Sequence, residues 1–140
     1  MSFSRLQVED PELATQLERA APAVVRELAD LACSSASLHA LAQGVLEGAL
    51  SDWRQRGASS QSCSEIAAQV ARWDDRYFEL VAAGAGESEW LPYFRSARAG
   101  SAVVFALQGD LGDAIYEAMH AVKGVGDLVA TLRLRLGING

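Results

Sequence analysis

The 140-residue sequence has few of the residues that build disulfide, metal and catalytic sites. It contains two cysteines, two histidines and a single lysine, Lys123. Cys33 and Cys63 are far apart and lack the Cys-x-x-Cys spacing of zinc and redox sites. We interpret both as reduced thiols, Cys33 in the core and Cys63 in a loop. The net charge is −6 and no cluster of basic residues is present, so the positive surface that nucleic-acid binding requires is missing.

Long apolar runs are absent as well. The first ten residues have no apolar stretch and end with Glu9 and Asp10, which is unlike a secretory signal. No segment of the sequence approaches the roughly 18 apolar residues of a membrane-spanning helix. We therefore expect a cytoplasmic protein that binds neither nucleic acid nor membrane.

Recognisable catalytic motifs are also missing. A Ser-His-Asp or Cys-His-Asn site would have to use His39 or His120, and no Gly-x-Ser-x-Gly turn occurs in the sequence. Neither a P-loop nor a Gly-x-Gly-x-x-Gly motif is available to hold a nucleotide. We predict that the protein is not an enzyme and that it has no catalytic, cofactor-binding or metal-binding residues.

One pair of residues has the spacing of a metal site. Glu117 and His120 form a Glu-x-x-His motif, but a di-iron bundle needs two such motifs and two further acids, and only one copy is present. On a helical wheel, Asp113, Glu117 and His120 lie opposite Ile115 and Met119. We interpret these three polar residues as a solvated face. A helical enzyme or metal protein would instead require that Glu117 and His120 face inward.

What the sequence does contain is helical periodicity. Half of the residues are hydrophobic, and they recur with a period of 3.6 residues almost throughout. The clearest stripe covers residues 38–53 and predicts a central core helix, preceded by a break at residues 34–37. We predict an all-α fold, a bundle of six or seven helices with short loops in one domain over residues 1–140. The residues expected to be most buried are Leu41, Val45, Leu46, Leu50, Val70, Phe105 and Ile115.

Acidic and aromatic residues are interleaved between residues 74 and 117. Eight carboxylates and three arginines fall there, which accounts for −5 of the net charge of −6. Acids steer a positively charged partner, and aromatic side chains supply contact area at low entropic cost. We predict a partner-binding surface formed by Asp75, Glu79, Glu87, Glu89, Trp90, Tyr93, Asp113, Tyr116 and Glu117.

Two charged residues in this stretch lie at the edge of apolar stripes. Asp74 follows Val70 by four residues, and Arg98 lies between Phe94 and Phe105. A buried charge requires a partner, because burying it alone costs several kcal/mol. The favoured interpretation is an ion pair of Asp74 or Asp75 with Arg98 or Arg95. The alternative is a substrate or partner pocket lined by these residues.

The three tryptophans also raise the choice between a structural and a binding role. Trp53 and Trp73 complete apolar stripes and are expected in the core. Trp90 follows Glu89 at a predicted helix start, where an indole is easily half exposed. It is either a lid on the core or an interface anchor.

Residues 99–121 resemble one tetratricopeptide-type helical hairpin. Small residues occupy most of the packing positions and Phe105 supplies the aromatic one, while Arg98 and Gly126 stand where that repeat has tryptophan and proline. No second copy is evident, and stacked repeats need neighbours to bury their faces. We interpret the segment as a tightly packed αα-hairpin.

The acidic, all-helical character and the lack of an active site resemble the small immunity proteins that protect bacteria from their own toxins. The resemblance rests on type and carries over no particular residues. It implies an antitoxin-like inhibitor that docks an acidic helical face onto a basic partner protein. The alternative is an adaptor that holds a peptide in a helical groove, or a module that self-associates.

Overall fold

The computed structural model describes residues 2–57 and 60–137. Over these residues the chain forms eight α-helices and no strand, so the all-α class is confirmed and the expected number of helices was too low. The helices are α1 (Ser4–Glu9), α2 (Pro11–Arg19), α3 (Pro22–Ser37), α4 (Gln43–Arg56), α5 (Ser60–Ala82), α6 (Glu87–Leu107), α7 (Leu111–Ala121) and α8 (Leu128–Leu136). None of the helices in these two ranges is long and apolar enough to cross a membrane.

Several helix boundaries follow from local sequence signals. Asp10 caps α2, where its Oδ1 accepts a hydrogen bond from the Leu13 amide at 3.1 Å. Asp127 caps α8 in the same way, accepting from the Ala130 amide at 2.9 Å. Pro22 begins α3, because proline fits the first helical turn and disrupts a helix interior. Each of these boundaries is indicated by the sequence itself, because an aspartate before a helical segment or a proline in its first turn is a typical helix start.

The predicted core helix over residues 38–53 is wrong in its first third. Helix α3 continues through Ser37, and α4 begins only at Gln43, so the predicted break lies inside a helix. The Ser37 hydroxyl donates to the Cys33 carbonyl at 2.8 Å, which lets serine sit in the last helical turn. The Leu41 amide donates to Ser96 Oγ on α6 at 2.8 Å, so it is not available to continue α3.

Burial within that stripe is correspondingly divided. Leu46 and Leu50 are fully buried, whereas Leu41 and Val45 are 57% and 58% exposed. The prediction was therefore correct for the first pair and wrong for the second. Ile115 is buried as expected, while Val70 and Phe105 are only partly buried.

Helix α6 occupies the centre of the fold. It packs against α3, α4, α5 and α7, whereas α5 has α6 as its only extensive partner within the described residues. Alanine, glycine and serine make up most of the buried positions of α6, so neighbouring helices can approach it closely. The central helix is thus α6 and not the 38–53 segment, because an apolar stripe marks a buried face without showing how many helices surround it.

The two cysteines are free thiols, as expected. Cys33 is fully buried on α3, and this burial raises the pKa of its thiol. Cys63 lies within α5 and is partly buried, so its predicted loop position was wrong.

The close approach of α5 to α6 can be tested at Gly100. A methyl group there would lie 2.5 Å from Val70 Cγ2 and 3.1 Å from Trp73 Cζ3. We expect Gly100→Ala to lower the free energy of unfolding, measured by urea denaturation, by about 1–2 kcal/mol. Gly48→Ala is the matched control: it meets no atom within 4 Å in α4 and should stabilise by about 0.5–1 kcal/mol through helix propensity. Equal stabilisation by both changes would contradict this packing of α5.

Candidate functional site

A groove runs over α6 between α5 and α7. Because both of these helices pack on α6, their side chains form its walls and α6 forms its floor. The first part, the ion-pair lobe, has a volume of about 370 Å³ and is closed at one side by Arg5 of α1. The second, the aromatic lobe, has a volume of about 260 Å³ and shares Tyr77, Phe94 and His120 with the first. The ion-pair lobe is lined by Arg5, Asp74, Tyr77, Phe78, Phe94, Arg98, Tyr116, Glu117 and His120.

Arg98 joins the three helices through two carboxylates. Its Nη2 donates to Asp74 Oδ1 of α5 at 3.2 Å, and its Nη1 donates to Glu117 Oε2 of α7 at 3.0 Å. The expected partner Asp74 is therefore confirmed, whereas Glu117 was not predicted. Asp75 is exposed and Arg95 donates to a backbone carbonyl, so neither of the other two proposed members takes part.

Arg5 holds the N-terminal helix against α7. Its Nε donates to Asp113 Oδ1 and its Nη1 donates to Glu117 Oε1, both at 3.1 Å. Its guanidinium carbon lies 4.5 Å from the centre of the Tyr116 ring, within the range of a cation–π contact. Burial acts to lower the pKa of Arg5, but the hydrogen bonds to Asp113 and Glu117 outweigh it and raise that pKa.

The predicted solvated face of α7 is wrong at Glu117. Its side chain is only 5% exposed, and each of its oxygens accepts a hydrogen bond from a different arginine. The helical wheel placed Glu117 opposite the apolar stripe of α7. However, α1 covers that side of α7 and brings Arg5 to the Glu117 carboxylate. Asp113, at 20% exposure, is held by the same arginine. Both carboxylates are thus engaged within the protein.

His120 also faces the groove. Its ring centre lies 4.6 Å from that of Tyr116, and its Nε2 is 3.7 Å from Glu9 Oε2 with no hydrogen-bond partner. Glu117 and His120 therefore do face inward, the arrangement that a metal protein would need. However, both Glu117 oxygens are already bonded to arginines, and no cluster of three or more potential metal ligands occurs in residues 2–57 and 60–137.

Four aromatic rings form the α5–α6 side of the groove. The Tyr77 ring centre lies 5.1 Å from that of Phe78, 5.5 Å from that of Trp90 and 5.4 Å from that of Phe94. These separations are typical of packed aromatic pairs. Trp90 is half-buried and lines the aromatic lobe, whereas the other two tryptophans, Trp53 and Trp73, are buried as expected.

The remaining predicted acids lie outside the groove. Asp75 and Glu79 are exposed in the last two turns of α5, and Glu87 and Glu89 are exposed in the first turn of α6. We call these four residues the acidic hairpin end, since α5 and α6 are joined there by residues 83–86. Within residues 2–57 and 60–137, one of the four is paired with a base: Glu79 Oε2 accepts from Arg76 Nη1 at 3.3 Å, in an exposed contact.

The structure thus separates the nine predicted partner-binding residues into two sets. Tyr93 lies beside the acidic hairpin end, where Arg76 approaches its ring to 6.0 Å. Trp90, Tyr116 and Glu117 line the groove, and Asp113 is tied to it through Arg5. Arg5, Phe94 and Lys123 also line the groove and were not predicted as site residues, because they come from three separate elements: α1, α6 and the turn after α7.

No protein-family model, curated protein or solved structure matches this chain.

Proposed function

We propose that this chain is a non-catalytic protein-binding module, an immunity or antitoxin-type inhibitor that neutralises a partner with a basic surface. The acidic hairpin end is the docking surface. The observation that carries the proposal is the exposure of its four carboxylates at one end of one hairpin, where Arg76 is the only cation of the described residues that is paired with them.

The distribution of the other acids supports this choice. Asp74, Asp113 and Glu117 are all bonded to arginines inside the protein, so they cannot serve as free charges for a partner. The four residues of the acidic hairpin end remain in solvent, where they create a negative potential that reaches about 10 Å at moderate salt. A basic surface would be drawn toward this end of the molecule.

Two aromatic side chains adjoin these carboxylates. Trp90 and Tyr93 are both half-buried and follow Glu89 within the first two turns of α6. Partly exposed tryptophan and tyrosine are typical binding hot spots, because they bury a large area with little loss of entropy. The acids would therefore control the association rate of a partner, and the aromatic anchors would control its dissociation rate.

Association kinetics test the proposal once a partner has been captured from the native host. We expect Glu87→Gln with Glu89→Gln to slow association by about tenfold at low salt, and the effect to shrink as salt screens the charges. Stopped-flow or surface-based kinetics would measure this. The control with the same change in net charge is Asp52→Asn with Glu18→Gln, two exposed acids on other helices.

In the same assay Trp90→Ala should speed dissociation by about tenfold or more, as expected for an aromatic anchor. An acidic partner would refute the proposal. So would equal slowing by the control pair, since the effect would then depend on total charge alone.

A second candidate function is self-association, the structural-module alternative. Leu38, Leu41 and Val45 are 57–60% exposed between α3 and the first turn of α4, which is unusual for three neighbouring large apolar side chains. Sedimentation equilibrium distinguishes the two functions. A dimer that Leu41→Ser converts to a monomer would favour the module, whereas a monomer that binds a basic partner would favour the inhibitor.

A further inference from the structure

The aromatic lobe of the groove has a charge opposite to that of the protein as a whole. The chain carries 18 acidic residues against 12 basic ones, yet none of the carboxylates among the described residues lines this lobe. Its nitrogen bases are Arg95, His120 and Lys123, and Lys123 is the only lysine in the sequence. The lobe therefore presents positive charge inside an acidic protein.

The turn after α7 brings Arg95 and Lys123 together. Arg95 Nη2 donates to the Lys123 carbonyl oxygen at 3.3 Å, which places the guanidinium beside the lysine backbone. Gly124 follows with φ of +88°, a conformation that glycine adopts without strain and that turns the chain back toward α6. Arg95 from α6 and Lys123 from the turn are thereby held next to each other.

Arg95 and Lys123 are not used in internal ion pairs. Arg5 and Arg98 are both bonded to carboxylates, whereas neither Arg95 nor Lys123 has a carboxylate within 4.0 Å in the described parts of the chain. His120 Nε2 lies 3.7 Å from Glu9 Oε2, so it is already next to a carboxylate. The guanidinium of Arg95 and the ammonium of Lys123 are therefore the two groups that can receive an anion.

The other side of the lobe is an apolar wall of three aromatic rings, set at steep angles to one another. Trp90 and Phe94 meet edge to face at 6.4 Å between ring centres, and Tyr77 packs against both. A volume of about 260 Å³ is near the lower limit of small-molecule sites, so a single ring with a short acidic arm matches it in size. The rings are in mutual contact, which leaves no cage for a cation between them.

We propose that the aromatic lobe binds a small aromatic carboxylate. The ring of the ligand packs against Trp90 and Phe94, and its carboxylate accepts charge-assisted hydrogen bonds from Lys123 and Arg95, with His120 at its edge. This ligand site goes beyond the proposed protein-binding function, which rests on the acidic hairpin end and needs no small molecule.

Phenylacetate is a suitable probe, followed by ¹H–¹⁵N NMR of the full chain. The three indole N–H signals provide an internal comparison, because Trp90 lines the lobe while Trp53 and Trp73 are buried elsewhere. We expect the Trp90 signal to shift saturably with a Kd of about 1–5 mM, as suits a ligand of this size, and the other two to stay in place. Phenylacetamide, which keeps the ring and loses the charge, should bind about tenfold more weakly.

Two sets of variants separate this site from the acidic hairpin end. Lys123→Gln should weaken phenylacetate binding by about tenfold, whereas Arg72→Gln, an exposed cation on α5 that does not line the lobe, should leave it unchanged. Glu87→Gln with Glu89→Gln should not weaken it, although the same pair is expected to slow association with a protein partner. Equal binding of phenylacetamide, preference for phenethylammonium, or binding unaffected by Lys123→Gln would overturn the proposal.

Discussion

Replacing Arg98 with alanine is expected to lower the free energy of unfolding by about 3 kcal/mol. Arg98 is 24% exposed and bonds Glu117, which is 5% exposed, as well as Asp74. Removing the guanidinium leaves two carboxylates close together, and the deeply buried one, Glu117, then keeps Arg5 as its counter-charge. An unpaired buried charge loses its hydration without compensation, and this is the physical source of the loss.

Urea or thermal denaturation of the purified variant would measure the change. Arg76→Ala is the matched control, because Arg76 also pairs with a carboxylate, Glu79, but both groups are exposed at 51% and 66%. Solvent screens such a pair, so its removal should leave the stability unchanged. A loss for Arg98→Ala no larger than for Arg76→Ala would show that the ion-pair lobe does not contribute to stability.

Local signals in the sequence were sufficient for the helical class, several helix boundaries and one ion pair. Asp10 before Pro11 and Asp127 before an apolar helix are caps whose effect depends on neighbouring amides only. The pairing of Asp74 with Arg98 was accessible because each lies at the edge of a stripe on adjacent helices. In each of these cases the decisive contact is within one helix or between consecutive ones.

Most of the groove could not be predicted, because its contacts join distant segments. A pocket lined by Asp74 and Arg98 was only the alternative to their ion pair, and both residues do line the ion-pair lobe. Arg5 reaches Glu117 across 112 residues of sequence, and no periodic pattern indicates that α1 will cover α7. A helical wheel separates polar from apolar faces, but it assumes that polar residues meet water. At Glu117 the polar face meets two guanidinium groups instead. The helical wheel therefore assigned Glu117 to the correct face of α7, but the prediction that this face is solvated was wrong.

Contacts between separate helices also explain why the acidic stretch of the sequence does not form one acidic surface. Between residues 74 and 117 the carboxylates are divided between ion pairs and solvent. Asp74, Asp113 and Glu117 neutralise arginines, while the acidic hairpin end keeps its charge in solvent. Net charge is a property of composition, and its division between ion pairs and the exposed surface is decided by tertiary packing.

Substitutions at two adjacent residues test where the stripe over residues 38–53 actually enters the core. Leu46 is fully buried at the start of α4, and Val45, its neighbour, is 58% exposed. We expect Leu46→Ala to lower the free energy of unfolding by about 3 kcal/mol, since it combines lost burial with a cavity. Val45→Ala should change the same quantity by no more than about 0.5 kcal/mol, because a surface methyl group leaves no void.

Chemical denaturation of the two variants, compared at equal protein concentration, is the measurement. The pair is informative because both residues belong to the same apolar stripe, and a continuous helix over residues 38–53 would bury both of them. Both residues lie in the first turn of α4, where Val45 is on the exposed side and Leu46 is the first buried residue of the helix. Comparable losses for Val45→Ala and Leu46→Ala would mean that Val45 is buried as well and that the stripe enters the core before Leu46.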